Sequence, residues 1–229
     1  MLSLPCGTQL HREKGNEILS SKSVDPAREG APQNEPILDV PSRLVLSAVD
    51  SFAVKGFNAT TTRDITNALG MSAGSLYVHF RSKEDLLFFI ARTGHEETLA
   101  AVRGAAATSS RPIEQLQAIM RVFTARHASR HKRSRVVSYE LSALSAEHFD
   151  EIAAIRRSTH AQFREVVDAG ILAGDFQTSD AEMTTVALLS LGIDVSRWYR
   201  DSGSWTAEMI ADHFSQLALR IVGVPPGAP

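Results

Sequence analysis

The chain predicts an all-α fold of about nine helices, arranged as a small N-terminal module followed by a larger helical bundle. Three observations predict it. Apolar residues recur three and four positions apart through most of residues 40–221. No stretch sustains the apolar–polar alternation of a half-buried strand between turn signals. Residues 60–83, TTTRDITNALGMSAGSLYVHFRSK, divide into two short helical pieces around a glycine turn. A length of 229 residues accommodates one sizeable core, or a small domain joined to a larger one. The expected division is a flexible arm over 1–36, a helix-turn-helix domain over 37–97 and a second helical domain over 98–229.

Residues 1–36 are rich in Pro, Gly, Ser and charge, and bury too little apolar surface to offset the entropy of ordering them. Their cations His11, Arg12, Lys14, Lys22 and Arg28 are interspersed with Glu13, Glu17, Asp25 and Glu29, which favours a solvated arm over one that touches DNA. A first helix follows from Val40 to Lys55, with Val45, Ala48, Val49 and Phe52 inward and Gly56 as its stop. Thr61 caps a short second helix whose apolar face is Ile65, Ala68 and Leu69, and Gly70 closes it in the left-handed conformation. Met71 and Ser72 make the turn. The third helix, beginning near Ala73, points Leu76 and Phe80 inward and leaves Ser75, Tyr77 and His79 outside. Ser82 caps a fourth, with Asp85 placed to complement its free amides, and Leu86, Leu87, Ile90 and Ala91 carry it toward Val102.

Downstream, only helical signals appear. Pro112 opens a helix through Leu116, Ile119, Met120 and Phe123. Others are expected over Val136–Leu144 and from Ala146 through Ile152, Phe163 and Val167 to Ile171, the latter ending between Gly170 and Gly174. Ser179 or Asp180 starts the next, which runs to Trp198. Thr206 caps the last, with Ile210, Phe214, Leu217 and Ile221 on one face before Gly223 and Pro225-Pro226.

The segment AVDSFAVKGFNATTTRDITNALGMSAGSLYVHFRSKEDLL resembles the N-terminal domain of TetR-family transcriptional repressors. The resemblance rests on Lys55-Gly56-Phe57, Thr62-Arg63-Asp64-Ile65, Gly74-Ser75-Leu76-Tyr77, His79-Phe80 and Ser82-Lys83-Glu84 in order. It implies a homodimer that binds a double-stranded DNA operator through the third helix in the major groove, with half-sites whole helical turns apart. The implied contact residues are Ser72, Ala73, Gly74, Ser75, Tyr77 and His79. Thr61, Thr62 and Arg63 would meet a phosphate at the start of the second helix, and Lys83 would clamp the backbone on the other side. Relatives often carry a basic residue where this chain has Ala73, so one guanine reader is missing.

The C-terminal part resembles TetR-like regulators of sterol and fatty-acid catabolism, in Asp194-Val195-Ser196-Arg197-Trp198-Tyr199-Arg200 before a glycine loop and in Val136-Val137-Ser138-Tyr139-Glu140. That resemblance implies a small-molecule effector, with an acyl-CoA or other hydrophobic compound as the candidate, and a dimer face on the last two helices. The same apolar stripes also suit closure of the intramolecular core. Met120, Phe123, Arg135, Tyr139, Phe163 and Trp198 are the expected pocket residues. The basic run Arg126, His127, Arg130, His131, Lys132, Arg133 and Arg135 is either a solvated loop or a seat for the phosphates of a CoA thioester.

Composition bounds the alternatives. With 24 Lys and Arg against 26 Asp and Glu, the chain is no polycation, so DNA affinity must come from local clustering. Cys6 is the only cysteine, which precludes an intramolecular disulfide, and His127 and His131 have no nearby carboxylate or thiol, so no metal site is expected. No apolar run reaches the roughly 20 residues of a membrane span, and Met1–Leu4 is no signal peptide, so a cytoplasmic protein is expected. Nucleophile elbow, P-loop and dinucleotide signatures are missing, and no catalytic residues or cofactor are expected. The expected function is a repressor released from a palindromic operator by a small molecule. The alternatives are a DNA-binding regulator without a ligand and a helical CoA-ester enzyme.

Overall fold

The computed structural model describes residues 38–224. Among these residues it contains nine α-helices, one 3-10 turn and no strand. They are α1 (Val40–Lys55), α2 (Thr62–Asn67), α3 (Gly74–Tyr77), α4 (Lys83–Ala106), α5 (Pro112–Ser129), α6 (His131–Tyr139), a 3-10 turn (Leu141–Ala143), α7 (Ala146–Ala173), α8 (Ala181–Trp198) and α9 (Ala207–Ile221). The expected arm over 1–36 and the Pro225-Pro226 stop lie outside the described residues.

Local chemistry sets the helix ends. Asp39, Thr61, Ser82, Ser145, Asp180 and Thr206 each accept a hydrogen bond from an amide in the first turn of the helix they precede. Gly56 (φ 77°) and Gly70 (φ 68°) take the left-handed region at the two turns that shape the N-terminal module, where a side chain would be strained.

Two apolar cores follow. Leu44 and Phe52 of α1, Ile65 of α2, Leu76 of α3 and Leu86 and Ile90 of α4 are fully or almost fully buried together, and the same core continues into Val136, Leu141 and Ile152. The N-terminal module is therefore packed onto α6, the 3-10 turn and the start of α7. The second core joins the end of α4 to α5, α7, α8 and α9 through Val102, Leu116, Phe123, Phe163, Leu188 and Ala218. Each large apolar side chain so buried contributes about 1.5–3 kcal/mol relative to exposure.

Three local expectations need correction. The helix expected over Val136–Leu144 begins earlier, at His131, and stops at Tyr139, with a 3-10 turn after it. Arg130 (φ −116°, ψ 34°) interrupts the helix for a single residue, so the basic run is no loop but the end of α5 and the start of α6. Ala68 is exposed rather than apolar-faced, whereas Phe80 faces inward as expected and packs, partly buried, against the first core. The third helix is a single turn of four residues, extended by turn-type bonds from Ser75 N to Ser72 O and from His79 N and Phe80 N to Leu76 O.

Candidate DNA-binding surface and effector cavity

At the start of α2, Thr61 and Asp64 form a reciprocal cap. The Asp64 amide donates to Thr61 Oγ1 at 3.1 Å, and the Thr61 amide and hydroxyl both donate to Asp64 Oδ2, at 2.7 and 2.8 Å. Lys55 Nζ donates to Asp64 Oδ1 at 2.8 Å, and that bond, with those from Thr61, holds the Asp64 carboxyl far below the usual range. The Thr61 amide and hydroxyl thus serve the cap, and a carboxylate occupies the positive end of the helix where a phosphate was expected. Thr62 and the exposed Arg63 remain available on that turn.

The Ser47 hydroxyl, buried on α1, donates to Ile65 O at 2.7 Å and locks α2 onto α1. With Leu76 fully buried beneath them, Gly74 and Tyr77 of α3 and the following Val78 and His79 are left on the outside. Tyr77 is 56% exposed and Val78 78%. Ser72 and Ser75 share a hydroxyl–hydroxyl hydrogen bond of 3.1 Å, and Ala73 is partly covered. A Cβ built at Gly74 would meet nothing nearer than Ser72 Oγ at 3.8 Å, and its φ is not in the left-handed region. The fold itself does not require glycine there, whereas a partner approaching the backbone closely would.

Lys83, expected as a backbone clamp, faces inward. Its ammonium donates to Phe57 O and Thr60 O, both at 2.7 Å, and lies 4.1 Å from the centroid of the Phe57 ring. Two of its three protons are thus used to hold the turn before α2, and partial burial lowers its pKa. Three cations on this module, Arg43, Arg63 and Arg81, are exposed and have no ion-pair or hydrogen-bonding side-chain partner among the described residues. The sequence reading missed Arg43, Val78 and Arg81. For the two arginines the signal was position: Arg43 stands directly before the buried Leu44, and Arg81 directly after the partly buried Phe80.

A cavity of about 440 Å³ lies between α4, α5, α6, α7 and α8. Phe123, Val186, Leu189 and Ile193 form apolar wall, while His95, Thr98, His127, Ser138 and Arg156 bring polar atoms to it. His95 Nε2 donates to Val137 O at 3.0 Å and His127 Nδ1 to Phe123 O at 2.8 Å, which leaves each ring one acceptor nitrogen. Burial pushes both imidazoles down to about 4; the field of Arg156 adds to the effect at each, and the carbonyl bonds oppose it. Arg156 is partly buried, makes no ion pair or hydrogen bond among the described residues, and has its pKa lowered by desolvation. The cavity therefore offers an unpaired cation, neutral acceptors and an apolar wall.

Of the expected pocket residues, only Phe123 lines this cavity. Met120 and Phe163 are fully buried in the second core, where Phe163 meets the Phe123 ring edge-on at 5.2 Å. The Arg135 guanidinium turns away to donate to Ala53 O on α1. Tyr139 is exposed, with the Arg197 guanidinium 5.8 Å from its ring centroid. Trp198 belongs instead to an outer apolar groove of about 470 Å³ with Trp205, Met209, Ile210, His213 and Phe214.

Glu84, Asp85 and His148 offer ligand atoms within 4.8 Å of one another. His148 Nδ1 lies 2.8 Å from Glu84 Oε1, and its ring stacks on Phe88 at 3.8 Å, which explains the cluster as a tie between α4 and α7. No helix among the described residues is long and apolar enough to cross a membrane.

A one-turn helix exposed over a capped partner helix, joined to a larger helical domain that holds a polar-lined cavity, defines a helix-turn-helix protein. Residues 44–89 match the bacterial regulatory proteins of the tetR family, and residues 109–222 match the tetracyclin repressor-like C-terminal domain. The chain belongs to the TetR family of bacterial transcriptional regulators. A regulatory protein of that family from Rhodococcus RHA1 is 41% identical with a TM-score of 0.76, covering 81% of this chain and 97% of that one. The HTH-type transcriptional repressor KstR2 of Mycobacterium tuberculosis is 28% identical over 176 residues, 75% of this chain and 87% of KstR2. AibR, in complex with isovaleryl coenzyme A and operator DNA, shares the fold at 23% identity and a TM-score of 0.70, covering 77% of this chain and 96% of AibR.

Proposed function

We propose that this protein is a homodimeric repressor that binds a palindromic operator through α3 and is released by a small effector with an apolar body and an anionic head. The observation that carries the DNA reading is the outward face of α3. Tyr77, Val78 and His79 are exposed, and Gly74 is left without a side chain although the fold has room for one. Arg43, Arg63 and Arg81 supply the phosphate contacts. Ser72, Ser75 and Thr62 add hydroxyls beside them.

The cavity supports the effector. A DNA-binding scaffold without a ligand has no use for an unpaired, partly buried Arg156 facing about 440 Å³ of space. An anionic group would pair with it, and the two neutral histidines would accept from a hydroxyl or amide N–H. An acyl-CoA thioester fits these demands, and AibR, of the same fold, is solved with isovaleryl coenzyme A.

Helix α6 connects cavity to reading head. Its Ser138 lines the cavity and the Val137 carbonyl holds His95, while Lys132 Nζ donates to Asp50 at 2.7 Å and Arg135 donates to Ala53 O, both on α1. An effector that shifts α6 or α4 changes where α3 points. The dimer reading rests on α8, α9 and the loop between them, where Met183, Met209 and Trp205 in turn are well exposed although α9 also buries Ile210, Ala211 and Ala218.

The test is fluorescence anisotropy on a labelled duplex from the gene's own upstream region. The expected result is salt-dependent binding that a scrambled duplex does not match, weakened by about 1–3 kcal/mol in Tyr77→Ala and reversed by acyl-CoA. Equal affinity for both duplexes would contradict the reading.

A further inference from the structure

Beside the cavity, three arginines converge on one carboxylate. Arg126 Nη2 lies 3.0 Å from Glu97 Oε2, Arg130 Nη1 meets the same oxygen, and Arg133 Nη1 lies 3.6 Å from Oε1. Three positive charges against one negative leave a formal excess of two on this spot. Moreover, Arg126 Nε and Arg133 Nε are inaccessible to solvent and have no hydrogen-bond acceptor. Arg133 Nη2 is already spent on Thr93 Oγ1 and Ile90 O of α4, so the unused donor capacity is that of the two Nε groups. A phosphate group, with more charge and a third terminal oxygen, matches what is left over.

The cluster is also in reach of the effector. Thr98 and His127 line both the cavity and the cleft among Arg126, Arg130 and Arg133. Glu97 stands on α4, the helix that begins at the reading head, whereas the arginines stand on α5 and α6.

We infer that Arg126, Arg130 and Arg133 form a seat for a phosphate-bearing anion, and that Glu97 is its resident occupant, displaced when the anion binds. This deepens the effector reading, on which its regulatory consequence rests: expelling Glu97 breaks the charged link that fastens the middle of α4 to α5 and α6. The apolar part of the ligand sits in the cavity and its phosphates replace the Glu97 carboxylate.

Calorimetric titration of the full chain with inorganic pyrophosphate at constant ionic strength tests the seat. Saturable binding is expected, weakened about tenfold in Arg130→Ala and tightened about tenfold in Glu97→Gln, which removes the competing charge. Arg126→Lys, which keeps the charge and loses the fork, serves as a second variant and is expected to weaken binding as well. Circular dichroism checks that each variant is folded. Equal affinity in wild type, Glu97→Gln and Arg130→Ala would overturn the proposal, as would no saturable binding by Glu97→Gln. Acyl-CoA-driven release of DNA, measured on the same proteins, separates the two readings. Release of wild type and Arg130→Ala at the same concentration sinks the seat and leaves the repressor. The expected pyrophosphate pattern without any release sinks the effector reading and leaves the seat.

Discussion

The Glu140 carboxylate, just past the end of α6, accepts a hydrogen bond from the Phe57 amide, in the turn that leads to α2, with Oε2 and N 3.2 Å apart. The other carboxylate oxygen lies 3.6 Å from where a Cβ on Gly56 would stand. With Arg135 on Ala53 O and Lys132 on Asp50, it makes the third tie from the α6 segment to the α1–α2 corner.

Removing that tie is expected to separate binding from response. Glu140→Ala leaves the Phe57 amide without its partner, at a cost of about 1–3 kcal/mol. Operator affinity should change little, while the effector concentration needed for half-release rises. Thermal unfolding and an effector titration on bound duplex measure the two effects.

Stability should fall on mild acidification. His95 and His127 have folded pKa values of about 4, below the ordinary 6.5 of the unfolded chain. Between pH 6.5 and 4 the unfolded state therefore binds protons that the folded state refuses, so unfolding becomes easier as pH drops through that window. Each histidine contributes a slope approaching ~1.4 kcal/mol per pH unit there. Denaturant midpoints at pH 7.5, 6 and 5 check it, and His127→Gln is expected to flatten the dependence.

Filling space at Gly192 should damage the cavity. A Cβ there would stand 2.5 Å from Phe123 Cδ1, a ring that lines the cavity. Gly192→Ala must push that ring off its position, at about 1–3 kcal/mol for overpacking. Effector affinity is expected to drop while operator binding persists, read by thermal shift and anisotropy.

Charging the outer face of α9 should dissociate the proposed dimer. Met209 is 52% exposed and Trp205 61%, so Met209→Lys alters little within the chain. Sedimentation velocity is expected to show a folded monomer, and operator affinity should fall because one reading head makes half the contacts.

Much of the fold was readable because its signals are local. Thr61, Ser82 and Thr206 cap the helices they were expected to cap, Asp180 is the cap of the two candidates Ser179 and Asp180, and Gly70 takes its left-handed turn. The exposure of Tyr77 and His79 over a buried Leu76 followed from spacing alone. The direction of long cations did not: Lys83 reaches two carbonyls 23 and 26 residues away, and Arg135 turns to α1, because side-chain partners are set by tertiary packing. The cavity was misplaced for a related reason. Aromatic residues on inner faces, such as Phe163, fill the core, whereas the cavity is marked by polar residues at core-face positions. His95 follows Leu87 and Ala91 at four-residue steps, and Arg156 follows the buried Ile152 by four residues. Those interruptions of an apolar stripe were the available clue.

The central claim, that two copies of α3 read one duplex, is tested most directly by hydroxyl-radical footprinting of the purified protein on its upstream DNA. Two protected patches on one face of the duplex, a whole number of helical turns or about 34 Å multiples apart, are predicted, with both lost in Tyr77→Ala. A single patch, or an unchanged footprint in that variant, would contradict it.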